Sequence, residues 1–208
     1  MITITKLGLV SYRNELIIIC SILVTIVLLP IVAVFTIANA GVTAVSDALI
    51  SVNVTTKTIE LRDPMGAFVS TLPISSTWPV GGKVSFDFGA AGSPWQARHT
   101  GIDVADPLGK IGRPITVFMT GTVSRVVNVD NEYGKYVFVD HGNHIVSQYW
   151  HLDSASTVVG AKVKPGDVIG YEGNTGRSTG PHLHFEIQVY GIPTNPRLFI
   201  EGNPPSGI

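Results

Sequence analysis

The sequence predicts an all-β domain of antiparallel sheets, preceded by one N-terminal transmembrane helix. Three observations predict it. Beyond Ser46 no long stretch repeats its apolar residues at the helical period; short β-branched and aromatic runs recur instead. Asn, Asp and Gly turns separate those runs, in a chain of 208 residues with 22 glycines and 13 prolines. Residues 16–37 form one unbroken apolar run without a charge.

Taken in order, residues 1–15 read as a short cytoplasmic tail and 16–40 as a single membrane span. As a helix, the run 16–37 would cover roughly 33 Å at about 1.5 Å per residue, enough for a hydrocarbon core of about 30 Å. Lys6 and Arg13 precede it and the next charge is Asp47, which places the N-terminus in the cytoplasm and the rest outside. Pro30 is tolerated in such a helix. Ala38-Asn39-Ala40 has the form of a signal-peptidase site, so the competing reading is secretion after cleavage near Ala40. The run exceeds the ~7–15 residues usual for a signal core, which favours an uncleaved anchor. Cys20, the only cysteine, lies inside the run as apolar filler and excludes an intrachain disulfide.

Residues 41–75 read as an extracytoplasmic connector. Alternation around Ile50-Ser51-Val52-Asn53-Val54 predicts one or two strands there. Residues 76–200 read as the main domain, with strands over 121–129, 136–140, 144–150, 168–171 and 184–189, and 201–208 as a tail. A net charge of −1 and a pI of about 6.6 give no sign of a nucleic-acid partner. The mean hydropathy of +0.33 is largely explained by the apolar run.

The chemistry lies in three short clusters. They are His99-Thr100-Gly101-Ile102-Asp103, Tyr149-Trp150-His151-Leu152 and Gly180-Pro181-His182-Leu183-His184-Phe185-Glu186, and they hold four of the six histidines. Imidazole and carboxylate are the nitrogen and oxygen donors that suit a catalytic zinc, which takes three protein ligands and keeps one position open. In a strand, residues i, i+2 and i+4 share a face. His182 and His184 therefore project together if 181–189 is extended, and His99, Gly101 and Asp103 do so if the first cluster is extended. Two adjacent strands would then present His99, Asp103 and His184 to one ion, leaving two histidines to handle protons.

In these motifs the chain resembles the M23 (LytM/lysostaphin-like) family of zinc metallopeptidases, over roughly residues 78–199. His99…Asp103 matches the family's H-x(3)-D, His182…His184 its H-x-H, and His151-Leu152 its intervening His-Leu. Trp78-Pro79-Val80 with Phe88-Gly89, Asp140-His141-Gly142-Asn143, Val163-Lys164-Pro165-Gly166 and the run from Gly173 to Pro181 match further landmarks. The resemblance implies a sandwich-like all-β peptidase domain with its site in a groove across one sheet. It implies one Zn2+ per chain on His99, Asp103 and His184, with His151 and His182 as catalytic histidines. It also implies hydrolysis of peptide bonds in peptidoglycan, which a domain outside the membrane would meet. The alternative within the same resemblance is a non-catalytic LytM-like module that binds the wall or activates a hydrolase; the complete five-residue set argues against it. Protein partners are not legible.

The neighbouring residues carry smaller expectations. His141 reads as a loop residue, His144 as an exposed strand residue and Tyr149 as packing. Asn174 and the glycine-rich loop read as groove lining. Glu186, two residues from His184, reads either as an outer partner of a ligand imidazole or as a solvent-facing carboxylate.

Overall fold

A computed structural model of the chain describes residues 17–19, 22, 44, 46–91, 98–129 and 132–206. Among the described residues no helix is long and apolar enough to cross a membrane. The expected span falls almost wholly outside them: of 16–37 only Ile17, Ile18, Ile19 and Ile22 are described, each helical. The chain divides into two units, Met1–Val42 and Thr43–Ile208, and the architecture below is that of the second.

Among the described residues thirteen strands build it: β1 (Ile50–Asn53), β2 (Thr58–Arg62), β3 (Phe68–Pro73), β4 (Lys83–Phe86), β5 (Ile102–Ala105), β6 (Pro114–Thr116), β7 (Gly121–Val127), β8 (Lys135–Asp140), β9 (Ile145–Ala155), β10 (Lys162–Val163), β11 (Val168–Glu172), β12 (His182–Val189) and β13 (Ile192–Thr194). A 3-10 turn, Pro196–Leu198, follows, with the Asn195 side chain accepting the Arg197 N–H at its start. The five strands expected in the main domain are all present. The longest differs most from expectation, since β9 continues to Ala155. His144 is not in it: that residue sits in the β8–β9 turn with a left-handed φ of 61°.

The segment expected to hold one or two strands forms a three-stranded antiparallel sheet, β1-β2-β3. Local side chains make its turns. Asn53 Oδ1 accepts the Thr55 and Thr56 N–H groups, and Asp63 Oδ1 accepts those of Met65 and Ala67. The large sheet runs β10-β7-β8-β9-β12-β5-β4, with β11 joining β6 to β9 and β13 pairing with β12. Every named pair is antiparallel; a lone parallel bridge joins Ser75 to Ile200.

One apolar cluster holds both sheets together. Leu49, Ile50, Ile59 and Leu61 from the small sheet and its approach join Phe118, Tyr149, Phe185, Ile187 and Phe199. Alternation explains β12: Leu183, Phe185, Ile187 and Val189 are fully buried on the core face, while His182, His184 and Glu186 take the other. Truncating a buried ring such as Phe185 to alanine typically costs about 3–5 kcal/mol. The face that carries the histidines therefore rests on a rigid base.

Candidate metal centre

The site begins with strand register. β12 lies between β5 and β9, and His184 stands directly opposite Asp103 on one side and Trp150 on the other. Opposed residues in an antiparallel pair share a face, so Asp103 and His184 meet without any contribution from a loop. His184 Nδ1 lies 2.9 Å from Asp103 Oδ1. His99 arrives differently from the extended pattern expected. It precedes β5, in irregular chain held by backbone bonds with Gly89 and Ala90. Its ring packs on Phe86, centroids 4.7 Å apart, which brings Nε2 to 3.1 Å from Asp103 Oδ1 and 3.0 Å from His184 Nδ1. Gly101 must be small here: a Cβ on it would sit 2.4 Å from the Phe185 carbonyl oxygen and 2.9 Å from the His184 ring.

Three lone-pair atoms thus converge, and they form the metal-type cluster among the described residues. A tetrahedral ion with bonds of about 2.0–2.1 Å spaces its ligands about 3.3 Å apart, within a few tenths of an ångström of the observed separations. The two-nitrogen, one-oxygen set, with no sulfur, suits zinc. Each imidazole is oriented from behind. His99 Nδ1 donates to the Asp87 carbonyl at 3.1 Å, leaving Nε2 as the ligand atom. His184 Nε2 makes no hydrogen bond and faces Glu186 Oε2 at 3.7 Å, an ion-pair distance. Glu186 is only 2% exposed, which removes the solvent-facing reading.

The electrostatics fit a cation at this point. Burial opposes charge on Asp103, but its hydrogen bonds with His184 and His99 outweigh it and hold the carboxyl well below the usual range. Burial also opposes charge on His184, yet the Asp103 and Glu186 carboxylates lift it to about 9. Without a metal, the same two carboxylates favour positive charge on His184.

His182 and His151 flank the ligand set. His182 Nδ1 donates to the Gly180 carbonyl at 2.8 Å and lies 3.1 Å from Ser178 Oγ, and its Nε2 comes within 3.7 Å of Asp103 Oδ1. His151 lies next to Trp150, and a regular strand would send these neighbours to opposite faces. Here β9 is bulged. Between the pairs Lys135↔Leu152 and Val137↔Tyr149, β9 uses one residue more than β8. His151 has a left-handed φ of 62°. Such bulges re-aim a side chain, and a non-glycine residue held in this region signals strain maintained by its surroundings. The turn brings the ring to 4.8 Å from that of His182. Nδ1 donates to the Thr175 carbonyl at 2.8 Å, leaving Nε2 able to accept a proton. Burial, with the neighbouring His182, pushes His151 down to about 4, so it is neutral at pH 7.

All five sequence-predicted residues line one groove with Phe86, Tyr133, Trp150 and the loop from Gly176 to Pro181. Asn174 is not in the lining, a correction to its expected place; Thr175 instead supplies the carbonyl that orients His151. Thr175 and Ser178 lie in the loop expected to line the groove, but their contacts with His151 and His182 were not foreseen, because backbone carbonyls and short hydroxyls leave no residue-type signal. Tyr149 faces the core, as expected, with its hydroxyl near Ser147 and the Phe118 N–H. His141 is more than a loop residue: its two ring nitrogens bond the Thr120 carbonyl at 2.9 Å and Ser147 Oγ at 2.7 Å.

Residues 97–196 match the sequence profile described as "Peptidase family M23". The chain is 44% identical over 100 residues to the peptidoglycan DD-endopeptidase ShyA of Vibrio cholerae, covering 48% of this chain and 22% of that protein. It is 32% identical over 154 residues to the murein hydrolase activator NlpD of Salmonella dublin, covering 73% of this chain and 39% of that protein. The chain therefore spans well under half of these relatives. Among solved structures it resembles a zinc-containing peptidase from Vibrio cholerae, with a TM-score of 0.55 at 28% identity over 71% of this chain and 47% of that one. It also resembles LytU, with a TM-score of 0.50 at 36% identity over 57% of this chain and 84% of that one.

Proposed function

The chain belongs to peptidase family M23, and on that premise we propose that it is a zinc-dependent endopeptidase that hydrolyses peptide bonds of peptidoglycan. The observation that carries the proposal is the convergence of His99 Nε2, Asp103 Oδ1 and His184 Nδ1 within 2.9–3.1 Å, with two further imidazoles beside them. These three residues would hold one Zn2+. When bound, zinc supplies Lewis acidity, polarising a peptide carbonyl and making water acidic enough to attack near neutral pH.

The chain's own residues do the rest. The groove takes an extended peptide, and the glycines of its loop let backbone approach backbone. His151, neutral with Nδ1 committed to Thr175, receives the proton of the attacking water at Nε2. The proton that His151 takes from the water is returned to the departing amine, and His182, with Nδ1 committed to Gly180, turns Nε2 towards the reacting centre as a second site that can take up and pass on a proton. The bulge that turns His151 to the groove sets the acceptor before substrate arrives, so no reorganisation is needed at the moment of reaction.

Residues 16–40 anchor the chain in the cell membrane with the N-terminus cytoplasmic and the catalytic unit outside, which restricts hydrolysis to wall near the membrane. The likeness to a murein hydrolase activator favours a second reading, activation of another hydrolase. The two readings separate in one assay. The full chain in detergent is incubated with purified peptidoglycan, bound zinc is quantified, and products are read by mass spectrometry. New amine termini, lost on chelation and restored by zinc, are the expected result. Zinc binding without any new terminus, alone or at increasing enzyme, turns the reading to the activator.

A further inference from the structure

Glu172, the last residue of β11, is a fully buried carboxylate that the hydrolytic chemistry does not use. A buried charge is costly unless it is paired and hydrogen-bonded, and both oxygens of this one are. Arg113, just before β6, donates Nε–H to Glu172 Oε2 at 2.6 Å and Nη2–H to Glu172 Oε1 at 2.7 Å. Its third nitrogen, Nη1, donates to the Gly81 carbonyl, and Asp106 Oδ2 lies 3.3 Å from Nε. The backbones are tied as well: the Glu172 N–H donates to the Arg113 carbonyl and the Gly112 N–H to the Glu172 carbonyl, both at 2.8 Å. A two-point Arg–carboxylate pair fixes direction as well as distance. An apolar pair of the same volume would often be as stable, so net stability does not account for it.

Glu172 lies where the bulged strand finds its register. Leu152 stands opposite Glu172 of β11 on one side and Lys135 of β8 on the other. To either side of Leu152, β9 uses one residue more than its neighbour. Tyr149 to Leu152 opposes only Val137 to Lys135 in β8, and Leu152 to Ser154 opposes only Glu172 to Tyr171 in β11. His151 lies in the first of these bulges, with its left-handed φ. Gly173 continues the contact: a Cβ there would sit 2.2 Å from the Asp153 nitrogen, and its carbonyl accepts the His182 N–H at 3.3 Å. Thr175, two residues further on, gives its carbonyl to His151 Nδ1, and its hydroxyl donates to the Leu152 carbonyl at 2.7 Å. The chain from Glu172 to Thr175 thus grips β9 around His151.

We infer that Arg113 and Glu172 are positioning residues for the reaction: their buried ion pair locks Glu172 opposite Leu152, and that lock holds the His151 ring in the groove beside His182. The inference rests on the endopeptidase reading. Neither residue lines the groove, so both act through β9 and not on substrate. Without the lock, β9 gives up its extra residue and relaxes towards a regular strand, which sends His151 to the face opposite Trp150. The metal ligands are placed by β5, β12 and the segment before β5, so zinc binding does not depend on the lock.

The test uses the zinc-loaded full chain in detergent, with isotope-labelled histidine, and a soluble cross-linked muropeptide as substrate. Arg113→Met together with Glu172→Met removes the pair but fills its volume; Glu172→Gln keeps the shape and removes the charge. Both are expected to keep zinc content and KM and to lower kcat by about tenfold or more, since a misplacement of about 1 Å costs up to about a hundredfold. The His151 Nδ1–H, protected by Thr175 in the unsubstituted chain, is expected to exchange with water faster in both, as read by magnetic resonance. On a His151→Ala background the same substitutions cost little further, because residues that act through one another are not additive. A folded variant with full kcat and a protected ring proton overturns the positioning role, as does a loss of kcat that adds in full to that of His151→Ala. Unfolding of both variants overturns it too, because the pair is then a requirement of the whole fold. If the unsubstituted chain cleaves nothing while the variants still release the ring proton, the lock stands and the endopeptidase reading falls. Cleavage that neither variant alters does the reverse.

Discussion

The two faces of the large sheet hold histidine in opposite ways. Towards the core, His141 has both ring nitrogens committed, to Thr120 and Ser147, and its ring packs on Phe118 at 5.0 Å. Towards the groove, His151 has Nδ1 bonded to Thr175 and is held in a left-handed backbone conformation. Burial lowers the pKa of both. A depressed imidazole is therefore no mark of catalysis by itself. What separates the two is a ring nitrogen kept for the groove and a backbone distortion maintained to aim it.

The comparison breaks most completely at the ligand set. His184→Ala is expected to abolish tight zinc binding and hydrolysis together, by more than the about hundredfold that losing an outer partner costs. Zinc stoichiometry and peptidoglycan turnover check it. Next in size, His151→Ala should keep zinc and lose about 10²- to 10⁴-fold in turnover. Full hydrolysis by that variant would refute the role given to His151.

Glu186→Gln tests the partner behind His184 and is expected to weaken zinc affinity by about tenfold while the fold is kept, measured by chelator competition. His141→Ala sharpens the comparison from the other side. It removes one partner of the buried Ser147 hydroxyl, which keeps Tyr149, and one of the Thr120 carbonyl, a cost of about 0.5–1.5 kcal/mol per bond in chemical denaturation. Turnover of the folded variant should stay within about twofold, and a catalytic loss like that of His151→Ala would erase the distinction between the faces.

A further test of the ligand set is a pH dependence. In the metal-free protein His184 is raised from 6.5 to about 9. A raised pKa stabilises the fold fully below the unfolded value and loses that contribution as pH rises through the folded one. Melting of zinc-free protein should accordingly fall between about pH 6.5 and pH 9 from this group. Zinc displaces the same proton, so its affinity should rise over that interval. Affinity that is flat across it would show that the proton and the metal do not share the site.

Much of the fold was legible because alternation is a local property. The run of Leu183, Phe185, Ile187 and Val189 fixes which face of β12 is apolar, and so puts His182 and His184 together on the other. The small sheet was underestimated because its turns depend on single Asn and Asp side chains rather than on a periodic signal. His99 was expected in a strand and lies before one, since its position is set by Phe86 and the Asp87 carbonyl, neither of which its own cluster announces.

By itself the sequence determined the donor set, the all-β class and the pairing of His182 with His184. Residue chemistry and a period of two depend only on near neighbours in the chain. The tertiary structure alone decided which face His151 occupies, which nitrogen of each imidazole points inward, and that Glu186 is buried behind His184. Those outcomes depend on strand register, on one extra residue in β9 and on backbone carbonyls supplied from distant loops. Contacts between residues far apart in the chain have no signature in local composition.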